Sequence, residues 1–347
     1  MKIEAIDLFC GAGGLTRGLL DAGITVKAGF DIEESCRYAY EENNNGAKFI
    51  NKDIEKVSAD DLNNIWSGKE LRLLAGCAPC QPFSTAAAAF TKEKSSDVPD
   101  PRYFLLNQFE RLVKETLPEL VTMENVPRVR NHSPFKAFSE TLIKLGYSVW
   151  FDVVECKNFG VPQNRRRLVL MASRVSKAPT ISDFPKQRIL TVREAIQDLT
   201  PLKAGEQDPN DKIHIARNLS EINLERLKIS KPGGNWLDWP EHLRAKCHTK
   251  DSGLTYKSVY ARMEYDKPSP TMTTQFFNFG TGRFGHPEQN RTITPREAAI
   301  LQSFPKNYKF LSPKEKIYQY RLGKMIGNAV PPKLGYCIGE AFKSTLQ

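Results

Sequence analysis

The strongest constraint on the fold is an alternation of short apolar runs with amphipathic segments through the first half of the chain. Short apolar runs bounded by turns are typical of buried strands, and the segments between them have helical spacing. Strands that alternate with helices predict an α/β fold with a doubly wound, mostly parallel sheet covered on both faces. The predicted strands are Lys2–Leu8, Thr25–Phe30, Leu71–Ala75 and Glu119–Met123, and the predicted helices are Leu15–Ala22, Leu105–Glu115 and Pro134–Leu145.

Two later strands, Tyr147–Cys156 and Arg166–Ala172, are joined by a loop rather than by a helix. A connection of this kind is typical of a hairpin, because parallel strands need a longer crossover. We therefore expect one antiparallel strand in an otherwise parallel sheet.

The composition and periodicity of the sequence change after Ser173, where Pro, Gly and Asn turns become frequent and helical periodicity weakens. Helical spacing returns near the C-terminus, and the last helix is expected to pack on the first domain. We predict a first domain over 1–174 and 291–347 and a smaller, irregular second domain over 175–290. Helices in the second half are predicted near Val192–Asp198, Leu219–Lys228, Pro295–Ser303 and Pro331–Phe342.

The net charge of +10 is concentrated in the second half of the chain. Residues 1–172 carry 22 basic against 23 acidic side chains, residues 173–290 carry 18 against 14, and residues 291–347 carry 10 against 3. Such asymmetry indicates a polyanionic partner that binds the basic half. On charge alone, a solvated basic surface without such a partner is equally compatible.

No apolar run approaches the length of a membrane span, and Glu4 and Asp7 interrupt the layout of a signal peptide. We expect a cytoplasmic protein without membrane association. The seven cysteines are scattered, so free thiols are expected rather than a disulfide framework.

A glycine-rich turn, Asp7–Leu15, follows the first predicted strand and opens a helix. Glycines there let the backbone turn tightly and approach a ligand, and this turn is a common cofactor site in open α/β sheets. Asp31 ends the next strand, where its carboxylate could accept hydrogen bonds from ribose hydroxyls. The Asp53 carboxylate could accept a hydrogen bond from an adenine amino group, with Ile32 and Ile54 packing on the ring. A tight strand–helix joint without a ligand is the alternative, and the absence of Gly-Lys-Ser/Thr argues against a P-loop.

Cys80 lies in Ala78–Ser84, a loop that follows the strand Leu71–Ala75 and therefore faces the ligand crevice. Three other interpretations stay open at this point. Cys80 could be a small buried hydrophobe, and Cys77 with Cys80 could be a redox pair or half of a zinc site. No second C-x-x-C exists and Cys247-His248 lacks ligand spacing, so we expect no metal site.

Glu124 ends the strand Glu119–Met123 on the same crevice side, and Arg165 to Arg167 lie in the hairpin loop. Strand alternation places Arg165 and Arg167 on one face and Arg166 on the other. Such arginines are suited to gripping phosphate or a base edge, although solvated surface charge is the simpler interpretation.

Six sequence blocks, taken in this order, resemble the DNA cytosine-5 methyltransferase family of the prokaryotic restriction-modification type. The resemblance covers residues 3–174 and 291–333, and the ordered combination is far more specific than any single block. The blocks are DLFCGAGGL at 7–15, APCQPFS at 78–84, MENV at 123–126, VPQNRRR at 161–167, ITPREAAILQSFP at 293–305 and GNAVPP at 327–332.

The resemblance implies an enzyme that uses S-adenosylmethionine to methylate C5 of a cytosine flipped out of double-stranded DNA. It implies Cys80 as the nucleophile, Glu124 as the acid facing cytosine N3, and Arg165 and Arg167 as anchors of the base and loop. Ser84 and Thr271 are implied as phosphate contacts. The residues implied to surround the cofactor are Phe9, Gly11, Gly14, Asp31, Asp53, Ile54, Pro79, Leu105, Asn328 and Val330.

The family places its variable target-recognition domain between the fourth and fifth blocks, where the composition and periodicity change. Within it, Gln275–Phe279 and Arg283 are candidate base contacts, although aromatic residues at such spacing are more often core. The loop after Cys80 departs from the family, which usually has glycine there, because Ala86–Ala89 favours helix.

Three rival functions remain: an RNA cytosine-5 methyltransferase, a catalytically silent nucleic-acid binder on the same scaffold, and a thiol-disulfide protein using Cys77 and Cys80. The intact Cys80, Glu124 and Arg165 argue against the second. The Cys-Phe-Thr triplet that we associate with the RNA branch is absent from the second domain. We expect a monomer, with a restriction endonuclease as functional companion but not as a contact.

Overall fold

The structure is a computed structural model that describes residues 2–79, 104–182, 184–249 and 257–346. Cys80, Ser84 and Ala86–Ala89 lie outside these ranges. The chain forms two compact units. The first unit comprises Met1–Cys156, Arg166–Lys186 and Val330–Gln347, and the second comprises Lys157–Arg165 and Gln187–Ala329.

A seven-stranded sheet organises the described part of the first unit, in the order β3-β2-β1-β4-β5-β7-β6. The strands β1 to β5 pair in parallel, and β1 is buried along its whole length, as expected for a parallel sheet with helices on both faces. The strands are β1 Ile3–Leu8, β2 Thr25–Asp31, β3 Lys48–Asn51, β4 Leu71–Gly76, β5 Leu120–Asn125, β6 Ser148–Glu155 and β7 Arg166–Ser173.

The predicted hairpin is confirmed, because β7 is antiparallel both to β6 and to β5. Inserting β7 between them brings the start of β7 next to the end of β5. The predicted fold class, a doubly wound and mostly parallel α/β sheet, is therefore confirmed as well.

Helices cover the sheet and bury a core in which Phe109 of α4 packs on Phe138 of α5, with ring centroids 5.3 Å apart. Both helices carry an apolar stripe facing the sheet and polar residues on the other side. Within the described residues 2–79 and 104–144, the helices are α1 Gly14–Asp21, α2 Arg37–Asn43, α3 Ala59–Asn63, α4 Leu105–Thr116 and α5 Ser133–Lys144.

The second unit is built largely from turns, single bridges and short helices, as the weak periodicity of its sequence predicts. Sequence reasoning missed α9, which contains Gly323 and Gly327, because glycine has a low helix propensity. Its glycines are needed for close packing: an added Cβ at Gly323 would lie 2.1 Å from the carbonyl oxygen of Thr274. The described helices of this unit are α6 Val192–Ile196, α7 Glu221–Ile229, α8 Pro295–Leu301 and α9 Gln319–Gly327.

The boundaries of the units fall at 187 and 329, whereas the predicted second domain spans 175–290. Most of that segment lies in the second unit. Its role in recognising a target stays a prediction. Each helix within the described ranges falls short of the length and apolarity needed to cross a membrane.

The last helix, α10 Pro332–Thr345, packs on α1 in the first unit. Gly18 allows this contact, because an added Cβ there would lie 2.3 Å from the carbonyl oxygen of Pro332 and 2.6 Å from the amide nitrogen of Tyr336. Both neighbours are backbone atoms that cannot rotate away. The crossing therefore fixes α1, whose N-terminus follows the glycine-rich turn.

Changing Gly18 to Ala is expected to lower the free energy of unfolding by roughly 1–3 kcal/mol, because two backbones would have to separate. Chemical denaturation measures this change. Asp21→Ala, at an exposed position of the same helix, is the matched control and should cost under about 1 kcal/mol, since its ion pair with Arg17 is solvent-exposed. Equal stability of Gly18→Ala and the wild type would show that α1 and α10 are not closely packed at Gly18.

Candidate active site

The loop after β1 holds three residues in left-handed conformations: Phe9 with φ 59°, Gly11 with φ 50° and Gly13 with φ 88°. Glycine adopts such angles without strain, whereas Phe9 does so at a cost. An added Cβ at Gly11 would meet nothing within 4 Å, so this backbone faces open space. Gly14 then begins α1. The loop therefore offers exposed backbone at a helix N-terminus, a place suited to an anionic group.

Asp31, the last residue of β2, is hydrogen-bonded to this loop. Its Oδ2 accepts the N–H of Gly11 and its Oδ1 accepts the N–H of Glu33, each over 2.8 Å. Burial raises the pKa of Asp31, against the effect of these two donors. The two bonds orient the carboxylate, and each oxygen keeps a further lone pair for a ligand hydroxyl.

Asp53 and Ile54 begin a short 3₁₀ turn after β3, where the Asp53 side chain accepts the N–H of Glu55 over 3.1 Å. Ile54 is only 6% exposed and belongs to the core. Ile32 is 70% exposed beside Asp31. Of the two isoleucines predicted to pack on an adenine ring, Ile32 is thus the one that presents free apolar surface.

The other predicted cofactor residues are divided between the units. In the first unit, Phe9 and Leu105 pack against the core but remain partly exposed, Pro79 is partly exposed, and Val330 is buried. Asn328 belongs to the second unit, where it follows α9 and is exposed. Phe9 and Leu105 therefore present apolar surface at the carboxyl edge of the sheet.

A buried polar cluster that sequence reasoning missed lies beneath the glycine-rich loop. Asp7 is 1% exposed, its Oδ2 accepts the hydroxyl of Thr16 over 2.7 Å, and that hydroxyl lies 3.1 Å from the hydroxyl of Tyr40. Burial raises the pKa of Asp7 to about 7. The signal was present in the sequence, because Asp7 is one of two acids, with Glu4, in a strand whose other residues are apolar.

Three neighbouring strands bring a second set of side chains together. Gly76 of β4 pairs with Met123 of β5, so Cys77 and Glu124 are the next neighbours in register. Cys77 Sγ donates to Glu124 Oε2 over 3.0 Å, and Arg167 Nε of β7 lies 2.8 Å from Glu124 Oε1. Glu124 is 2% exposed. The result is a buried carboxylate fixed between a thiol and a guanidinium.

Asn125 supports the same edge, although no role was predicted for it. Its Nδ2 donates to the carbonyl oxygen of Ala78 over 3.1 Å. This bond ties the end of β5 to the segment that leads through Pro79 into the Cys80 loop. The structure therefore pairs Glu124 with Arg167, two of the predicted site residues, and anchors the described start of the segment that leads to Cys80.

Arg165 belongs to the second unit and is buried. Its guanidinium donates to the carbonyl oxygens of Met272, Gly327 and Ala329 over 3.1–3.4 Å. Gln302, which sequence reasoning missed, donates to the same Ala329 carbonyl over 2.7 Å. In this structure Arg165 therefore holds the turn that contains Asn328, and its predicted contact with a base stays a prediction.

A second missed residue, Gln163, links the blocks of the second unit. Its Nε2 donates to Gln302 Oε1 over 2.6 Å, and its Oε1 accepts the N–H of Met272 over 2.9 Å. The signal was available, because Gln163 and Arg165 are two residues apart in the same block and share a side of the chain. VPQNRRR therefore contributes to the framework of the second unit through Gln163 and Arg165.

The predicted DNA contacts of the second unit have protein partners in the structure. The Thr271 hydroxyl donates to the carbonyl oxygen of Asn164 over 2.6 Å. Arg283 donates to the carbonyl oxygens of Gly234 and Arg262 over 2.7 and 3.1 Å, and burial lowers its pKa. Phe276, Phe277 and Phe279 are buried, so they form core, as the alternative interpretation held. DNA contacts by Thr271 and Arg283 stay predictions.

Comparison with known proteins places this arrangement in a family. The sequence profile described as C-5 cytosine-specific DNA methylase matches residues 3–344. The Type II methylase M.HgiDII of Herpetosiphon aurantiacus is 44% identical over 99% of this chain and 95% of its own length. The Type II methyltransferase M1.HphI of Haemophilus parahaemolyticus is 36% identical over 98% of this chain and 87% of its own length.

The fold is shared with a solved structure described as a prophage-encoded DNA modification methyltransferase of E. coli. It superposes with a TM-score of 0.75 over 99% of both chains, at 20% identity. The enzymes of the matching family are methyltransferases, which generally use S-adenosylmethionine. The profile match over nearly the whole chain, together with the two bacterial relatives, confirms the predicted resemblance: this chain belongs to the C-5 cytosine-specific DNA methylase family.

Proposed function

We propose that this protein transfers a methyl group from S-adenosylmethionine to C5 of a cytosine in a specific sequence of duplex DNA. The observation that carries the proposal is the Glu124 carboxylate, buried at the carboxyl edge of the sheet and paired with Arg167. It lies on the strand next to the one that leads into the Cys80 loop. Addition to a cytosine ring requires a nucleophile and an acid, and the chain carries them on a strand end and on the loop of the neighbouring strand.

The residues at the edges of β1 and β2 fit S-adenosylmethionine. Asp31 would accept the ribose hydroxyls, Ile32 would cover the adenine with its exposed side chain, and Asp53 would accept the adenine amino group. Gly11 and the N-terminus of α1 would hold the carboxylate of the methionine part. When bound, the cofactor supplies an electrophilic methyl group on a sulfonium. Phe9 and Leu105 would exclude water from that end of the site.

The chemistry on cytosine follows from the side chains that the chain supplies. C5 of cytosine is a weak nucleophile until the Cys80 thiolate adds to C6 and makes C5 enamine-like. Glu124 hydrogen-bonded to N3 stabilises the charge that develops on the ring during this addition. Arg167 keeps the Glu124 carboxyl group oriented. Once C5 has accepted the methyl group, loss of the C5 proton restores the C5–C6 double bond and expels Cys80 as a thiolate.

The target base must leave the duplex, because neither face of C6 is accessible to a thiol within stacked DNA. The positive charge of residues 173–347 fits the phosphate backbone and would make binding depend on salt. We propose that residues 175–290 choose the target sequence. Replacing this segment with that of a relative should change the methylated site, and an active chimera that keeps its original site would contradict this assignment.

The two named relatives are Type II enzymes, which motivates placing this protein beside a restriction endonuclease that recognises the same site. Bisulfite sequencing of DNA from cells that express the protein tests activity, site and strand together. The purified protein should methylate duplex DNA rather than a pool of tRNA. Methylation of tRNA alone would support the RNA enzyme instead, and no methylation of either would support the silent binder.

The nucleophile is tested with a duplex that carries 5-fluorocytosine at the site found by sequencing. Fluorine replaces the C5 proton that must leave, so the enzyme should remain covalently attached in the presence of S-adenosylmethionine. Cys77→Ala should still form this denaturation-resistant complex and Cys80→Ser should not, although Cys80→Ser should still bind DNA. A complex formed by Cys80→Ser would remove Cys80 as the nucleophile, whereas a need for both cysteines without any adduct would favour the redox alternative.

Asp31→Ala is expected to weaken S-adenosylhomocysteine binding by roughly 10- to 100-fold, because charge-assisted hydrogen bonds contribute about 1.5–3 kcal/mol. Part of this loss comes from the Gly11 loop, which loses its acceptor. Calorimetry measures the affinity. The affinity for DNA should change less than twofold, because Asp31 is assigned to the cofactor site. Glu42→Ala, at an exposed position of α2, is the control and should leave the cofactor affinity unchanged. Unchanged cofactor affinity in Asp31→Ala would exclude Asp31 from the site.

A further inference from the structure

Cys77 contacts the carboxylate on which the proposed reaction depends. The β4–β5 register places Cys77 and Glu124 side by side, with both side chains on one face of the sheet. The thiol donates to Oε2 over 3.0 Å, and Arg167 lies 2.8 Å from Oε1. Each oxygen of Glu124 therefore has its own partner, one of them weak and one of them charged.

We infer that Cys77 is a positioning residue for Glu124, holding Oε2 until the N3 edge of a flipped cytosine replaces the thiol. The inference rests on the proposed function, because it assigns Glu124 to that edge of the base. It gives Cys77 a role other than the redox pair or zinc site with Cys80 that the sequence spacing left open.

The strength of the two donors explains the arrangement. A buried carboxylate oxygen without a donor is costly, and Glu124 is too buried for water to fill that place freely. A thiol is a weak donor, so the base displaces it at little cost once Glu124 has taken up a proton from solvent. Oε2–H then donates to N3 of cytosine, which carries no hydrogen of its own. The guanidinium of Arg167 is a charged partner that holds Oε1 by ion pairing rather than by a hydrogen bond, and it stays beside that oxygen throughout. Base binding therefore exchanges one contact of Glu124 and preserves the other.

The test compares Cys77→Ala, Cys77→Val and Cys77→Ser in single-turnover methylation of the duplex found by bisulfite sequencing. Alanine and valine lack a donor, so both should slow the chemical step by roughly 5- to 10-fold, while affinities for DNA and S-adenosylhomocysteine change by less than about twofold. Serine keeps a donor and should restore the rate to within about threefold of wild type. Valine at the wild-type rate would overturn the inference.

A double-mutant cycle separates positioning from general support of the loop. If Cys77 acts through Glu124, Cys77→Ala should change the rate by less than about twofold in a Glu124→Gln background. Equal slowing in both backgrounds would mean that Cys77 does not act through Glu124. If Glu124→Gln alone leaves the rate unchanged, the proposed role of Glu124 fails; if Glu124→Gln is slow and Cys77→Ala is as fast as wild type, only the inference about Cys77 fails.

Discussion

Glu124→Gln is expected to slow single-turnover methyl transfer by roughly 10²- to 10⁴-fold, the range that general acid catalysis contributes. Glutamine keeps the shape of the side chain and can still donate a hydrogen bond to N3 of cytosine. It cannot transfer a proton there, and it carries no charge to pair with Arg167. The loss should therefore appear in the chemical step, with S-adenosylhomocysteine affinity within about twofold of wild type.

The matched control is Glu140→Gln, which makes the same chemical change at an exposed position of α5 and should leave the rate unaltered. Thermal unfolding of Glu124→Gln must be followed in parallel, because Arg167 is mostly buried and loses its charged partner. A folded, cofactor-binding Glu124→Gln enzyme with a rate within threefold of wild type would exclude Glu124 from the chemistry.

The sheet could be predicted because its strands are short apolar runs separated by recognisable helices. The predicted strands of the first domain agree with β1, β2 and β4 to within one residue at each end, and with β5 to within two. The hairpin was predictable for a different reason, since the loop between β6 and β7 has no helical spacing. Local patterns of this kind depend on neighbouring residues alone, and a single sequence contains them in full.

The contacts of the site were only partly predictable. The family blocks name Glu124 and Arg167 as site residues. Their pairing and the bond from Cys77 depend on the register of β5 against β7 and β4, which no local pattern specifies. Gln302 and Gln163 meet across 139 residues of sequence for the same reason. Arg283 was predicted to contact DNA from its position in the second domain. In this structure its guanidinium donates to two backbone carbonyls, which the sequence did not indicate, and the DNA contact stays a prediction.

The block ITPREAAILQSFP carried much of the resemblance, yet its charged residues have structural partners in the described part of the second unit. Glu297 accepts the N–H of Thr294 over 2.7 Å and caps the start of α8. The Arg291 guanidinium, just before the block, meets both oxygens of Glu297 over 2.7 Å. Arg291 is 0% exposed and Glu297 is 1% exposed. This stretch therefore fixes α8 through a buried ion pair.

Arg291→Met is expected to lower the stability of the second unit by about 3–5 kcal/mol, the cost of leaving one partner of a buried ion pair unpaired. Burial alone would raise the pKa of Glu297, but Arg291 lowers it to about 2. Because this pKa is below its usual 4.5, the pair contributes stability above pH 4.5 that is lost as pH falls towards 2. Arg291→Met should remove that pH dependence.

Amide hydrogen exchange measured peptide by peptide reports each unit separately, and peptides from the second unit should lose protection first. The double variant Arg291→Met with Glu297→Leu should be more stable than Arg291→Met alone, since it leaves no buried charge. Arg193→Met, which breaks an exposed ion pair with Asp266, is the control and should cost under about 1 kcal/mol.

Loss of the Arg291–Glu297 ion pair should also affect function, because the C-terminal end of α8 supports the turn that contains Asn328. Gln302 caps that helix and donates to the carbonyl oxygen of Ala329, so a frayed α8 releases one of the donors that hold the turn containing Asn328. Arg291→Met should therefore weaken S-adenosylhomocysteine binding as well as stability, if Asn328 contacts the cofactor as predicted. If Arg291→Met is destabilised but binds the cofactor with unchanged affinity, the turn that contains Asn328 does not contribute to the cofactor site. A variant as stable as wild type would show that the ion pair contributes no more than a well-packed methionine.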